Sequence, residues 1–203
     1  MFTGAQVALH PMCDGFVDVI LEGIAGLAPY RDRLELETDE LSTRMIGPPE
    51  ALFPAMRDLF AGAARTGAHV VLAATVSRGC PGEPDDPRCA TPRLLGPLPP
   101  VEARVERALE AVRAAAPLGV PAVAQLSLYP LGAGAHMDEI EACIRFLRES
   151  GVHDRPKNFC TKLRGDAGPL FTTVAEAFLG FGAPEAHVAL DLKVSANSPS
   201  AAV

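Results

Sequence analysis

The stretch HVVLAATVSRGCPG, residues 69–82, is written a second time as HVALDLKVSANSPS, residues 187–200. Both open on His-Val, reach a Ser eight residues after the His, and place a Pro four residues after that Ser. His69 and His187 lie 118 positions apart, and the same offset relates Val70 to Val188, Val76 to Val194, Ser77 to Ser195 and Pro81 to Pro199. It also relates Thr43 to Thr161, Gly47 to Gly165, Leu52 to Leu170, Phe53 to Phe171 and Phe60 to Phe178. Nearer the start of each half the offset is 119, relating Gln6 to Gln125, Leu9 to Leu128 and Pro11 to Pro130, as one insertion or deletion between the blocks requires. A tandem duplication of a unit of roughly 75–80 residues accounts for these matches.

Periodicity supplies the elements of the unit. AQVALHP and its copy VAQLSLYP read as short apolar strands. In DGFVDVILEGIAGLA the apolar residues Phe16, Val19, Ile20, Ile24 and Leu27 recur at helical spacing, with Asp14 as N-cap. HMDEIEACIRFLRES repeats the pattern and ends at Gly151 as its C-cap glycine. RLELETDELSTRMIG reads as a hairpin turning near Asp39 and Glu40; its copy, VHDRPKNFCTKLRG, is interrupted by Pro156. A second helix spans about 49–64, and 168–181 in the copy; a last strand spans 69–77, and 187–195 in the copy. The order βαββαβ predicts an α+β fold built by tandem duplication of a ferredoxin-like unit, each antiparallel sheet carrying its helices on one face. Three segments follow: a first repeat over 1–82, a Pro-rich connector with a helix over 83–121, and a second repeat over 122–203. The connector helix is VEARVERALEAVRAAA.

Alternation assigns the two faces of the last strands. Val188, Leu190, Leu192 and Val194 face the helices, as do Val70, Leu72, Ala74 and Val76. The opposite face carries His69, Val71, Ala73, Thr75 and Ser77 in one copy, and His187, Ala189, Asp191, Lys193 and Ser195 in the other. The first of these is too apolar to stand in water, so the sister sheet, a second subunit or a ligand is expected to cover it.

Composition excludes several classes. A net charge of −7, no Trp and only two Tyr leave neither the electrostatics nor the stacking platforms for nucleic acid. No apolar run reaches the length of a membrane span, and MFTGAQVALHPMCDGF lacks the pattern of a signal peptide. Five Cys, an odd number, fit a reducing cytoplasm better than a disulfide framework. Cys80 and Cys89 lack the spacing of a zinc site, GAGAH at residues 132–136 lacks the context of a dinucleotide fingerprint, and no Ser-His-Asp or Cys-His assembly is legible. No metal and no cofactor are expected, and Asp85 and Asp86 read as solvated linker.

LHPMCDGF with its copy LYPL, TDELSTRMIG, VSRGCPG, LRGDAGPLFTT and VSANSPS, in this order and spacing, resemble the YkoF family of thiamin- and hydroxymethylpyrimidine-binding proteins. The resemblance covers nearly the whole chain. It implies two tandem ACT-like repeats, a cytoplasmic homodimer without enzymatic activity, and one site per repeat for thiamin or its pyrimidine half as ligand. It also implies association with an ABC- or ECF-type uptake system. The chain departs from the pattern at His10, where the motif has Tyr, and in its long connector.

An aminopyrimidine offers a donor amine and ring-nitrogen acceptors along one edge, and thiamin adds a cationic ring. Recognition calls for a carboxylate or amide and a hydroxyl in an otherwise apolar pocket, with an aromatic face for the cation. The candidates fall on the open sheet face and its edges: Gln6, His10, Ser42, Thr75 and Ser77 in the first unit, and Gln125, Tyr129, Cys160, Asp191 and Ser195 in the second. Asp39 and Asn197 stand at strand ends, and Thr43 and Thr161 are duplicated within the third strand of each unit. Each has a structural alternative. Ser77 and Ser195 can end strands on local backbone; Thr43 and Thr161 can face the helices; Asp39 can be a turn residue; His69 and His187 can be strand-edge residues. Among functions, a binding protein is weighed against an α+β-barrel oxygenase or haem enzyme, with His10, His69 or His187 as ligand or base, and against an ACT-like module sensing an amino acid.

Overall fold

A computed structural model describes residues 3–79, 99–131, 137–182 and 187–202. Residues 83–98 of the Pro-rich connector, with Asp85, Asp86 and Cys89, lie outside the described residues, as do Cys80 and the GAGAH stretch. The first half runs β1 (Thr3–Pro11), α1 (Phe16–Ala25), β2 (Glu35–Thr38), β3 (Thr43–Ile46), α2 (Pro49–Ala64) and β4 (Val70–Arg78). A connector helix, α3 (Val101–Ala114), follows. The second half repeats the order as β5 (Pro121–Leu131), α4 (Met137–Glu149), β6 (His153–Pro156), β7 (Thr161–Asp166), α5 (Ala167–Gly180) and β8 (His187–Ala196). The tandem βαββαβ reading is therefore the observed fold.

The two four-stranded sheets join edge to edge. β4 pairs antiparallel with β8, giving one eight-stranded antiparallel sheet in the order β2-β3-β1-β4-β8-β5-β7-β6. The register carries the duplication: Ala74 pairs with Leu192, its own counterpart, while Leu72 pairs with Val194 and Val76 with Leu190. Exchanging the copies exchanges these last two pairs, so a local two-fold passes through Ala74 and Leu192. Joined at their edges, the sister sheets leave each other's open faces uncovered; of the three expected covers, the sister sheet is excluded. The sheet is also open, because β2 pairs with β3 and β6 with β7 as its outermost strands. Among the described residues the strands close no barrel of the oxygenase type.

The helix face is the core. Val188, Leu190, Leu192 and Val194 are fully buried, as are Val70, Leu72 and Val76. Phe53 packs on Phe178 and Phe60 on Phe171, ring centroids 5.5 and 5.8 Å apart, which ties α2 to α5 across the local two-fold. Both outer strands are only four residues long, and each is held by charge: Arg44 on β3 pairs with Glu35 and Glu37, and Lys162 on β7 lies 2.8 Å from Asp154. Pro156 closes β6 at the sheet edge, where no further strand needs its missing N–H, and the register shifts earlier in the strand, between His153 and Arg155.

Two local expectations are settled differently. Asp14 does not cap α1: Gly15 occupies the N-cap and no side chain bonds there, because the helix begins one residue later than the Asp would require. Gly151 follows α4 in the left-handed region, with φ +81°, as a helix-ending glycine does.

The helix layers of the two repeats are unequal. α1 lies directly on α2: a Cβ at Gly62 would come within 2.6 Å of the Glu22 carbonyl oxygen, and one at Gly26 within 2.6 Å of that of Asp58. Tyr30 follows α1, and its hydroxyl donates to Asp58 Oδ2 at 2.5 Å. Burial and that carboxylate push the phenol up to about 12. In the second repeat α3 packs on both α4 and α5. Two buried arginines, Arg78 from β4 and Arg104 from α3, donate to carbonyls at the end of α5: Arg78 to Phe178 and Phe181, Arg104 to Gly180. Cations there satisfy the free carbonyls and oppose the helix dipole. At the other end of α5, the Asp166 carboxylate accepts from the N–H groups of Gly168, Leu118 and Val120 at 2.7–3.0 Å.

Replacing Arg78 with Met strands two buried carbonyls and is expected to lower unfolding free energy by about 2–4 kcal/mol, read from urea denaturation. Asp166 sets a pH dependence. Burial alone would raise its pKa, but the Leu118, Gly168 and Val120 N–H groups outweigh that and hold it below the ordinary aspartate range. The stabilisation is therefore complete above about pH 4, the unfolded value, and is lost as pH falls through the lower folded value. The wild-type denaturation midpoint should fall on acidification more steeply than that of Asp166→Ala.

Candidate functional site

The site residues expected from the sequence divide into three groups. Thr75, Ser77, Asp191 and Ser195 lie on the open face of the two central strands. There the duplication makes reciprocal contacts: His69 Nε2 meets Ser195 Oγ at 3.2 Å, and His187 Nε2 meets Ser77 Oγ at 3.1 Å. Thr75 stands opposite Asp191, whose carboxylate is paired with Lys193. This band is the repeated sentence of the sequence, folded onto itself.

A second group has structural partners. Asp39 Oδ1 accepts from the N–H groups of Leu41 and Ser42, both at 2.8 Å, closing the β2–β3 turn. Those two N–H groups hold its carboxyl below the usual range. Asn197 has φ 56°, and its Nδ2 donates to the carbonyls of Ala64 and Ala68 at 2.8 and 2.9 Å, tying the end of β8 to the turn after α2.

The third group surrounds a cleft. Between α4, the end of β5 and the β6–β7 hairpin lies a space of about 450 Å³, and Tyr129, Cys160 and Thr161 line it. Thr161 is on the helix face of the sheet, since it pairs with the buried Leu126. Leu126, Leu128, Ile140, Ile144 and Leu147 make the apolar walls, Phe159 stands 89% exposed at the hairpin tip, and Glu139, Arg148, Lys157, Asn158 and His153 supply the polar rim. An apolar space with a few convergent polar groups is what a small heteroaromatic ligand needs.

Their counterparts in the first repeat, His10, Ser42 and Thr43, take the matching positions. His10 is exposed at the end of β1, Ser42 Oγ accepts from Gln6 Nε2 at 2.6 Å, and Thr43 Oγ1 lies 3.0 Å from Thr38 Oγ1. Thr43 pairs with the buried Val7, so both duplicated threonines face the helices. Leu41, the counterpart of Phe159, is 77% exposed at its own hairpin tip.

The model of the YKOF-related family matches residues 2–83 and 121–201, the two halves just described. The chain belongs to the YKOF-related family. A Bacillus subtilis (strain 168) protein named "Putative HMP/thiamine-binding protein YkoF" is 28% identical over 198 residues, spanning 97% of this chain and 91% of that protein. The family match leaves α3 between its two segments, so the helix against α4 and α5 lies outside the shared repeats.

Sequence reasoning missed the wall that α4 contributes. Glu139 and Cys143, one turn apart, line the cleft, and both belong to a helix whose periodicity marks only which side is covered. The signal that was present is the pair of apolar residues at the hairpin tips, Leu41 and Phe159, at the repeat offset. Among the described residues no group of three His, Cys, Asp or Glu gathers as a metal site would require, and no helix is long and apolar enough to cross a membrane.

Burial, with a contribution from Glu139, pushes the Cys143 thiol up to about 12. Iodoacetamide at neutral pH should therefore spare Cys143 in the native protein while labelling the exposed Cys13 and the half-buried Cys160, with Cys143 reacting only on unfolding. Peptide mapping reads the three sites separately.

Proposed function

We propose that this chain is a binding protein for thiamin or its hydroxymethylpyrimidine moiety, with no bond chemistry of its own. The cleft of about 450 Å³ beside the β6–β7 hairpin is the observation that carries the reading. Its apolar walls suit a pyrimidine ring. Thr161 offers a hydroxyl, Glu139 a carboxylate and Tyr129 an aromatic face for a cationic second ring. The name of the Bacillus subtilis relative supports the ligand class. The duplication supports one site per repeat, the first built around His10, Ser42 and Thr43.

The half-apolar open face, bearing Val71, Ala73 and Ala189, supports pairing of two copies through their sheets. The resemblance to the YkoF family supports a cytoplasmic setting for such a dimer, in which it delivers or senses a thiamin precursor beside an ABC- or ECF-type uptake system.

Isothermal titration with thiamin, hydroxymethylpyrimidine and an amino-acid panel tests the reading. Saturable binding of the first two, and of none of the amino acids, is expected. Bound ligand should slow alkylation of Cys160 but not of Cys13, and Thr161→Val should weaken binding by about tenfold, as loss of one buried hydrogen bond does. Titration without heat or saturation for either thiamin-type ligand overturns the proposal.

A further inference from the structure

Glu139 is the one carboxylate among the described residues that line the cleft. It is held from outside the repeat. Arg104, on α3, grips both of its oxygens, with Nη1 donating to Oε2 at 2.8 Å and Nη2 to Oε1 at 2.5 Å. The arginine is itself fixed: it is 5% exposed, and it donates to the carbonyls of Pro99 at 3.1 Å and Gly180 at 2.5 Å. A two-pronged guanidinium holds a carboxylate in one orientation far better than a single contact. Each carboxylate oxygen accepts about two hydrogen bonds, so the fork leaves acceptor capacity on both.

The first repeat cannot build this arrangement. Counted from Ile24 and Ile144, or Leu27 and Leu147, the counterpart of Glu139 is Val19, an apolar residue buried against the core. α3 packs on α4 and α5, the helices of the second repeat.

We propose that Arg104 is a positioning residue for the second cleft: it presents Glu139 as the acceptor for an N–H-donating heterocycle, so that recognition in one repeat depends on the connector helix. The proposal rests on the binding function above and names the edge of the ligand that this cleft reads. An exocyclic amine on a pyrimidine is such a donor; the same ring without the amine is not. The two repeats then differ in selectivity although their strands are copies.

The test follows Cys160 alkylation against concentration of hydroxymethylpyrimidine and of its analogue lacking the amino group, which reports the second cleft alone. The wild type should prefer the amino compound by about tenfold or more, and Glu139→Gln, verified as folded by a cooperative melting transition, should lose that preference. Arg104→Lys keeps the charge and loses the fork; it should weaken the amino compound severalfold in the wild type and change nothing further in the Glu139→Gln background. A folded Glu139→Gln protein with the wild-type preference overturns the inference and leaves the binding function standing. So does Arg104→Lys weakening the ligand equally in both backgrounds, since the arginine would then act on the fold and not through Glu139. A wild type that is protected by neither compound overturns both.

Discussion

The antiparallel pairing of β4 with β8 is the constraint on which the rest of the molecule depends. A ferredoxin-like unit of this size leaves its fourth strand as an unpaired edge with a long row of free backbone groups. Here each copy satisfies the other's edge over nine residue pairs. The consequence is geometric as well as energetic. Because Ala74 meets its own counterpart Leu192, α2 and α5 must face each other across the same axis, and the aromatic pairs Phe53–Phe178 and Phe60–Phe171 complete a core shared by both copies. Helices cover one side of the fused sheet, and the other side is left as a single continuous surface.

Duplication and divergence are both visible in the helix layer. The strands remain copies, down to the reciprocal His–Ser contacts of the central band. The first helices of the two repeats do not. α1 approaches α2 through glycines that admit no side chain, whereas α4 carries Cys143 where α1 has Gly23, and α3 lies against it. What surrounds a repeat thus differs more than the repeat itself.

Much of the fold was legible in the sequence because it rests on short-period patterns and on the long offset. Val188 to Val194 alternate, Phe16 to Leu27 recur at helical spacing, and the repeat carries each reading from one half to the other. The cleft was less legible, for a physical reason. Alternation tells which side of a strand a residue takes, but not which side of the sheet holds a ligand. The open face, with Thr75, Ser77, Asp191 and Ser195, drew the expectation because its polar groups are conspicuous. Tyr129, Cys160 and Thr161 were found by their place in the repeat. Glu139, Cys143 and Arg104 were not, since their meeting depends on how a helix from the connector settles against the second repeat, a packing choice that leaves no periodic trace.

The two outer strands govern how the molecule behaves in a crowded solution. A chain that has already fused two sheets through an edge could continue the operation with its neighbours, strand by strand, into a ribbon. β2 and β6 end it. Each is four residues long, too short to template a stable partner, and the Glu35–Arg44–Glu37 and Asp154–Lys162 pairs set fixed charges along the rim. An incoming strand would have to strip water from those ions to extend the sheet. Short, charged outer strands therefore disfavour growth of the sheet beyond its eight strands by the same pairing that assembles the protein.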